Sequence, residues 1–488
     1  MSINTPEWVK NAVFYQIFPD RFARSPRMEH GPGVDLKAWG SDPKEQGYQG
    51  GDLYGVTDKL DHIKDLGCNA IYLCPVFSSA SNHRYHTFDY YQVDPLLGGN
   101  AALRELIDEA HKRDMYIVLD GVFNHASRGF WQFHHILENG GNSPYLDWFI
   151  IKDWPLNPYS DDPVQRPYNF EAWAGLPMLP KFNTDNPGVR QFIFDVAKYW
   201  IDFGIDGWRL DVPNEIDDDA FWQEFRRIVK GANPEAYIVG EIWGDAQRWL
   251  QGDQFDAVMN YTFAWSSLCY FGWDKLRPDF ERWEYRLNPL DGPAFADVLN
   301  TMHSRYDWAV NHVQMNLLDS HDTARAAYIL QNDPDAHKLA ILHQMTMPGA
   351  PCIYYGTEVG LDGGPDPSNR EGFPWERIGH DETGLTAHIK AATGLRHQYA
   401  ALRTGSYHPL HAEGKVFAFL RKLDHQQALV IYNVGDEDQS LSLDLADSAG
   451  QIWRSVWPDS GETYQNAEDG SLAVTVLARA AVVLVTQS

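Results

Sequence analysis

The sequence predicts an α/β fold, a closed (β/α)8 TIM barrel followed by a C-terminal antiparallel β-sandwich domain, and three observations support it. Short apolar runs alternate with amphipathic segments, which is typical of βαβ units and a parallel sheet. About eight such runs occur within roughly 400 residues, which favours a closed barrel over an open sheet. After about Arg403 the pattern changes to the strict alternation of half-buried strands.

The barrel elements follow from these runs in order. The eight predicted strands are Ala12–Phe18, Ala70–Cys74, Tyr116–Asp120, Asp206–Asp211, Tyr237–Glu241, Ala257–Asn260, Val313–Leu318 and Pro351–Tyr355, of which Ala257–Asn260 is the weakest. Helical spacing of apolar residues predicts helices over Val56–Leu66, Ala101–Arg113, Val189–Phe203, Asp218–Val229 and His337–Met347. Strands and helices therefore alternate as a barrel requires.

One connection is too long for a simple loop. From His125 to Asn183 the chain is rich in Pro, Asn, Asp, Trp and Tyr, with little periodicity, which predicts a subdomain (B) inserted after the third strand. The predicted domains are the barrel in two parts, residues 1–124 and 184–403, the B subdomain, residues 125–183, and the β-sandwich, residues 404–488.

Composition limits the function classes. The chain has 40 basic and 67 acidic residues, so its formal charge is 40 − 67 = −27, which opposes binding to nucleic acids. There is no 18-residue apolar span for a membrane and no secretory signal pattern, so we expect a cytoplasmic protein. The 18 Trp and 24 Tyr residues are a weak indication of a neutral ligand, because these rings stack on the apolar faces of sugars.

Polar residues collect where the apolar runs end. Asp120 ends the third strand and His125 follows it, Arg209 and Asp211 lie at the end of the fourth, Glu241 ends the fifth, and His321 and Asp322 follow the seventh. In barrel enzymes the chemistry lies at these carboxyl ends of strands. A single Asp at a strand end is more often a helix cap, but the joint pattern in four strands favours catalysis.

The residue types indicate the chemistry. Cleaving a glycosidic bond requires an acid that protonates the leaving oxygen and a carboxylate that meets the oxocarbenium-like centre. Arg209 and Asp211 are two residues apart on one strand and face the same side, so we expect Arg209 to keep Asp211 ionised and oriented.

Four blocks resemble, in order, the short sequence regions of the α-amylase family, glycoside hydrolase family 13. They are DGVFNH (Asp120–His125), GWRLDVPNE (Gly207–Glu215), EIWG (Glu241–Gly244) and LLDSHD (Leu317–Asp322). The resemblance implies Asp211 as nucleophile, Glu241 as general acid/base and Asp322 as the third carboxylate. The family retains configuration, which implies nucleophile and acid/base carboxyl groups about 5–5.5 Å apart.

The same resemblance implies further contacts at the −1 subsite, where the sugar on the non-reducing side of the cleaved bond lies. Arg209, His125 and His321 match family positions there, and Asp120 matches a structural aspartate at the edge of the site. Tyr85 falls where the family places an aromatic ring under the −1 sugar; a role in the core is the alternative.

Two more blocks resemble the neopullulanase, cyclomaltodextrinase and maltogenic amylase group: MLPKFNTDNP (Met178–Pro187) and GGPDPSNREGFPW (residues 363–375). The second implies that Asp366 and Arg370 bind a donor-side sugar, with a surface salt bridge as the alternative. Trp243, beside the acid, is a candidate platform for an acceptor sugar, with packing as the competing interpretation.

Departures from that group affect partners and metals. Its members usually carry an N-terminal β-domain, whereas here the barrel begins almost at Met1, so both a monomer and a homodimer stay open. Of the family's N-terminal calcium loop only Gly50 and Asp52 match, which gives too few oxygen ligands. We therefore expect no calcium there, leave a hard cation near Asn124 open, and expect no cofactor for the chemistry.

The sequence thus predicts a retaining hydrolase of α-1,4-glucosidic bonds in maltooligosaccharides, cyclodextrins or related cyclic α-glucans, with some transglycosylation. The alternatives within enzymes are an α-glucan transglycosylase and an α-1,6-active, isomaltase-like enzyme. A catalytically inert sugar-binding barrel is the alternative outside enzymes, but it would be expected to lack a catalytic carboxylate, and all three are present.

Overall fold

A computed structural model describes residues 3–31, 33–160, 167–277, 281–282, 285–380, 382–445 and 450–486. Eight parallel strands form the barrel: β1 Phe14–Ile17, β2 Ala70–Leu73, β3 Tyr116–Gly121, β4 Gly207–Leu210, β5 Tyr237–Gly240, β6 Ala257–Val258, β7 Met315–Leu317 and β8 Ala350–Tyr354. They pair in the order β7-β8-β1-β2-β3-β4-β5-β6. A parallel bridge between Met259 and Met315 joins β6 to β7 and closes the ring, so the predicted barrel is confirmed.

Within the described ranges, ten longer helices surround the barrel and its loops. They are α1 Leu53–Asp58, α2 Leu60–Asp65, α3 Gly99–His111, α4 Trp131–Asn139, α5 Pro187–Phe203, α6 Asp219–Ala232, α7 Tyr261–Gly272, α8 Gly292–Ser304, α9 Pro334–Thr346 and α10 Leu385–Gln398. Helical turns of four or five residues lie at Glu7–Lys10, Pro19–Phe22, Trp308–Asn311, Ala326–Ile329 and Ala400–Thr404.

Local chemistry fixes the ends of α5. The Asn186 side chain accepts hydrogen bonds from the backbone N–H groups of Gly188 and Val189, and Pro187 starts the helix with a preset φ. Gly204 ends it in the left-handed region at φ 112°. These caps place β4, and with it the Arg209–Asp211 segment, directly after the helix.

The helices differ from the predictions in two ways. The helix predicted over Val56–Leu66 is two shorter helices, because Lys59 at φ −112° and ψ 7° interrupts it. Four helices were not predicted: α4, α7, α8 and α10. All but one of the residues of α7 are buried, so it lacks the polar face that produces a helical periodicity.

The chain after β3 forms a small unit with an aromatic core. It contains α4 and irregular antiparallel bridges, among them His125 with Lys181 and Phe149 with Phe182. Phe130, Phe149 and Phe182 are buried against one another, with ring centroids 5.4 to 6.4 Å apart. Residues 161–166 of the predicted B subdomain lie outside the described residues. A hairpin of Phe77–Ser79 and Thr87–Val93 adjoins this unit after β2.

The C-terminal part is antiparallel, as predicted. Its strands are β9 Ser406–Glu413, β10 Val416–Leu423, β11 Gln426–Asn433, β12 Gln439–Asp444, β13 Ile452–Trp457, β14 Thr463–Gln465, β15 Ser471–Val476 and β16 Ala480–Thr486. Six form one sheet, in the order β9-β10-β11-β16-β13-β14, and β12 pairs with β15. A separate apolar cluster containing Leu429 and Leu472 lies between the two sheets. On the barrel side, Tyr432 packs against Phe271 at 5.0 Å.

A further two-stranded hairpin joins Glu281–Arg282 to Tyr285–Arg286. None of the helices within the described ranges combines the length and apolar character needed to cross a bilayer.

Candidate active site

A cavity of about 580 Å³ opens at the carboxyl ends of the barrel strands, within the size range of ligand sites. Among the predicted residues, Tyr85, His125, Asp211, Glu241, Trp243, Asp322, Asp366 and Arg370 line it. Asp120, Arg209 and His321 are essentially fully buried behind these lining groups. The structure therefore brings all eleven predicted site residues to one end of the barrel, in two layers.

Arg209 is the centre of the buried layer. Its Nη1 donates to Asp120 Oδ1 at 2.9 Å and to Asp211 Oδ1 at 3.2 Å, and its Nη2 lies 2.9 Å from Glu241 Oε2. One guanidinium thus contacts three carboxylates from three neighbouring strand ends. This contact fixes the relative positions of Asp211 and Glu241, the two carboxylates that the sequence assigns to the chemistry.

The positive charge of Arg209 stabilises ionised Asp211 less than the sequence predicts. Burial raises the pKa of Asp211 well above the usual value, Glu241 and Asp120 raise it further, and Arg209 opposes them. The sequence predicts that Arg209 keeps Asp211 ionised; in the structure the Arg209 charge is shared among three carboxylates in direct contact and a fourth, Asp322, at 3.9 Å. Asp211 and Glu241 therefore titrate as an interacting pair.

Besides its contact with Arg209, Glu241 accepts hydrogen bonds from two uncharged N–H groups. Its Oε1 accepts a hydrogen bond from Trp243 Nε1 at 3.0 Å, and its Oε2 accepts one from the backbone N–H of Val212 at 3.2 Å. Burial raises the pKa of Glu241, and this outweighs the lowering by Arg209. A carboxyl group that keeps its proton at higher pH suits a general acid.

The ring of Tyr261 orients Trp243. Its indole stacks on the ring of Tyr261 with centroids 3.7 Å apart and planes 6° from parallel. The indole N–H therefore donates a hydrogen bond to Glu241, while Trp243 also lines the cavity. The packing interpretation and the platform interpretation of Trp243 are compatible in this geometry.

Asp322 lies in a cationic setting. Its Oδ2 is 2.9 Å from His321 Nε2, and its Oδ1 is 3.3 Å from Arg370 Nη2. Burial acts to raise the pKa of Asp322, but His321 and Arg370 hold it well below the usual range. In return, the Asp322 carboxylate raises the pKa of His321 to about 10, against burial. Asp322 is therefore the ionised acceptor of the three.

Tyr85 forms part of the floor of the cavity. Its hydroxyl donates to Asp120 Oδ2 at 2.8 Å, and the Tyr72 hydroxyl donates to the same oxygen at 2.6 Å. The Tyr85 ring lies parallel to His321, with centroids 5.5 Å apart. Asp120 thus orients Tyr85 from beneath and does not line the cavity itself.

Asp366 and Arg370 form a salt bridge that also lines the cavity. Arg370 Nη1 lies 2.9 Å from Asp366 Oδ1, and Arg370 is 8% exposed. Arg370 also donates from Nε to the carbonyl oxygen of His321 at 3.0 Å. The two interpretations of this pair, salt bridge and sugar contact, therefore do not exclude each other.

His125 faces an aromatic residue that the sequence did not single out. Trp173 stacks against its ring at 5.4 Å and 24°, and Trp173 also lines the cavity. Burial lowers the pKa of His125 to about 3, so its imidazole is neutral at physiological pH. The high Trp and Tyr content of the sequence indicates stacking residues of this kind, but it does not say which residue lines the cavity.

The Asp52 carboxylate, one of the two matches to the calcium loop, accepts hydrogen bonds from the backbone. Asp52 Oδ1 accepts the N–H of Gly55 at 2.7 Å, and its Oδ2 accepts that of Ser25 at 2.8 Å, so this carboxylate caps α1. Within the described parts of the chain, no group of three or more His, Cys, Asp or Glu side chains is placed to hold a metal ion.

Comparisons with known proteins agree with this geometry. The family model for the α-amylase catalytic domain matches residues 16–395, and that for the maltogenic amylase C-terminal domain matches residues 407–482. A cyclomaltodextrinase from a Bacillus species is 44% identical over 433 residues, 88% of this chain and 73% of that protein. An intracellular maltogenic amylase from Bacillus subtilis is 40% identical over 91% of this chain and 71% of that protein.

A solved structure matches along its whole length. The native form of a debranching enzyme from Nostoc punctiforme is 47% identical, with a TM-score of 0.89, and the match covers 99% of this chain and 100% of that one.

Proposed function

We propose that this chain, which belongs to the α-amylase family of glycoside hydrolases, cleaves α-1,4-glucosidic bonds of maltooligosaccharides, cyclodextrins or related cyclic α-glucans with retention of configuration. One observation carries the proposal. Asp211 and Glu241 face the same cavity and contact the same Arg209 guanidinium, while Trp243 and Val212 orient Glu241. Retaining cleavage requires a pair of carboxyl groups at one cavity, one as the nucleophile and one as the acid/base.

The proposed first step breaks the glycosidic bond. Glu241 gives its proton to the glycosidic oxygen, the bond from that oxygen to the anomeric carbon breaks, and the Asp211 carboxylate forms a bond to that carbon. In the second step the Glu241 carboxylate takes a proton from water, whose oxygen attacks the anomeric carbon and releases Asp211. The two inversions restore the original configuration, and no cofactor is needed for the proton or electron balance.

The ionised Asp322 serves a different task. As an acceptor, it would bind the hydroxyl groups of the −1 sugar and favour the distorted ring of the transition state. Tyr85 below and Arg370 beside it complete this half of the cavity. An acceptor sugar in place of water would give transglycosylation, with Trp243 and Glu215 on the acceptor side.

A second candidate activity is cleavage of α-1,6 bonds. The observation that favours it is the end-to-end similarity to an enzyme named as debranching, whereas the cyclomaltodextrinase is matched over 73% of its length.

We further propose a cytoplasmic location, supported by the name of the intracellular relative. Light scattering on the purified chain would distinguish a monomer from a homodimer.

Product chromatography tests both activities. Maltotriose, a cyclodextrin and pullulan are each incubated with the enzyme and with Asp211→Asn as the inactive control. Hydrolysis of maltotriose and opening of the cyclodextrin support α-1,4 cleavage, and proton NMR of the first product gives the anomeric configuration. Release of maltotriose from pullulan shows α-1,6 cleavage. No hydrolysis of any substrate, or inversion, would refute the proposal.

A further inference from the structure

The inner side of His321 has a partner that lies outside the cavity. Its Nε2 faces Asp322 Oδ2 at 2.9 Å and the Tyr85 hydroxyl at 2.5 Å. Its other ring nitrogen, Nδ1, lies 2.7 Å from the side-chain amide of Gln16. Gln16 is on β1, is 0% exposed and does not line the cavity.

This contact bears on which nitrogen of His321 carries a proton. An imidazole protonated only at Nδ1 would direct a lone pair from Nε2 at the Asp322 carboxylate, which is repulsive. When the Gln16 amide N–H donates to a bare Nδ1, the proton of the neutral ring must be on Nε2. The amide contact therefore selects the tautomer that Asp322 requires.

The same amide can also serve the doubly protonated ring. Gln16 Oε1 has no hydrogen-bond partner among the residues that the structure describes. Turning the amide over would place this oxygen where it accepts from Nδ1–H. The neighbouring Cys74 thiol, 3.5 Å from Gln16 Nε2, can donate or accept and so fits both orientations.

We propose that Gln16 is a positioning residue that keeps the Nε2–H of His321 directed at Asp322 in both protonation states of the ring. Through His321 it also fixes the Tyr85 ring that stacks on it. Gln16 does not touch the reacting atoms. The consequence for turnover rests on the proposed function, whereas the consequence for the ring proton of His321 does not.

The test replaces Gln16 by Met, which has a similar length and no hydrogen-bonding amide. We expect kcat on 4-nitrophenyl α-maltoside to fall about 10- to 100-fold with KM changed much less, because a buried ring nitrogen loses its partner. The matched control is Gln344→Met. Gln344 is also buried and donates to two backbone carbonyls, of Asn316 and Cys352, but it lies on α9, away from the cavity. Its replacement should lower the melting temperature and leave kcat nearly unchanged.

A double-mutant cycle separates positioning from a general structural role. In the His321→Ala background, adding Gln16→Met should cause little further loss of kcat, because Gln16 then has no ring to hold. Equal fold-losses with and without His321, or an unchanged kcat in folded Gln16→Met, would overturn the proposal.

Nitrogen-15 NMR of ring-labelled histidine gives a readout independent of activity. The His321 signals are assigned by their absence in His321→Ala. We expect a protonated Nε2 in the wild type both below and above the titration of the ring, and exchange between tautomers above that titration in Gln16→Met. Identical spectra of the two proteins would count against the proposal even if the enzyme proved active, and a wild type that does not hydrolyse α-glucans would refute the proposed function alone.

Discussion

Two halves of one cavity hold their carboxylates in opposite ways. On the Glu241 half, Asp211 and Glu241 share the charge of Arg209 with Asp120, and burial raises the pKa of both. On the Asp322 half, one carboxylate has His321 and Arg370 beside it, and its pKa is lowered. The difference shows that the number of cations per buried carboxylate, not the residue type, sets the direction in which its pKa moves.

The largest effect is expected from Asp211→Asn, which removes the nucleophile and its charge while keeping the shape of the side chain. We expect kcat to fall by about 10⁴-fold or more, since the residues of a catalytic unit act together. Calorimetry should still show maltooligosaccharide binding. Asp366→Asn, which changes the more exposed partner of a salt bridge, is the control and should lower kcat far less. Turnover by Asp211→Asn within tenfold of the wild type would remove Asp211 from its proposed role.

Glu241→Gln is expected to be next, with a loss of about 10²- to 10⁴-fold on maltotriose. The loss in the first step should shrink for an aryl glycoside whose leaving group needs no proton. Activity requires deprotonated Asp211 and protonated Glu241, so the wild-type pH profile should be bell-shaped. Because burial raises the pKa of both Asp211 and Glu241, the acidic and the alkaline limbs should both lie above the usual range of carboxyl groups. A profile of Glu241→Gln that keeps the alkaline limb would contradict the assignment.

Arg370→Gln tests the other half. Removing this cation raises the pKa of Asp322, so activity should be lost first on the acidic side as Asp322 takes up a proton. We expect kcat to fall about tenfold near neutral pH and more below it, since one pKa unit corresponds to about 1.4 kcal/mol. Arg248→Gln is the control, because Arg248 pairs with Asp217 and Asp219 on the surface. A loss of kcat that is no larger at acidic than at neutral pH would mean that His321 alone sets the charge of Asp322.

The smallest effect is expected from Trp243→Phe. This change keeps a ring over Tyr261 and removes the N–H that stabilises the charged form of Glu241. The pKa of Glu241 should rise, moving the alkaline limb upward by up to about one pH unit, with a few-fold loss of kcat. Trp243→Leu, which also removes the stacking on Tyr261, should lower kcat further. A downward shift in Trp243→Phe would show that the indole does not act through its N–H.

The sequence predicted the strand ends well, because each functional residue there directly follows an apolar run. It did not predict Gln16, which looks like any other residue within a buried strand; its contact with His321 joins residues 305 positions apart. Tyr261 was missed for a different reason. Its helix is buried on nearly all sides, so no period marks it, and the stack on Trp243 arises only from tertiary packing. The pKa directions also needed the structure, since they depend on how one guanidinium is shared.

The closure of the barrel has a mechanical consequence. The strand β6 has only two residues, and in the described part of the chain one backbone bridge, Met259 with Met315, and a few hydrogen bonds from Val258 and Asn260 link this segment to β7 and the residue before it. The seam with the fewest hydrogen bonds should open most easily, and its amides should exchange early. Met259 Sδ lies 3.4 Å from Arg209 Nε. Any opening of this seam would therefore displace a neighbour of the guanidinium that contacts the paired carboxylates.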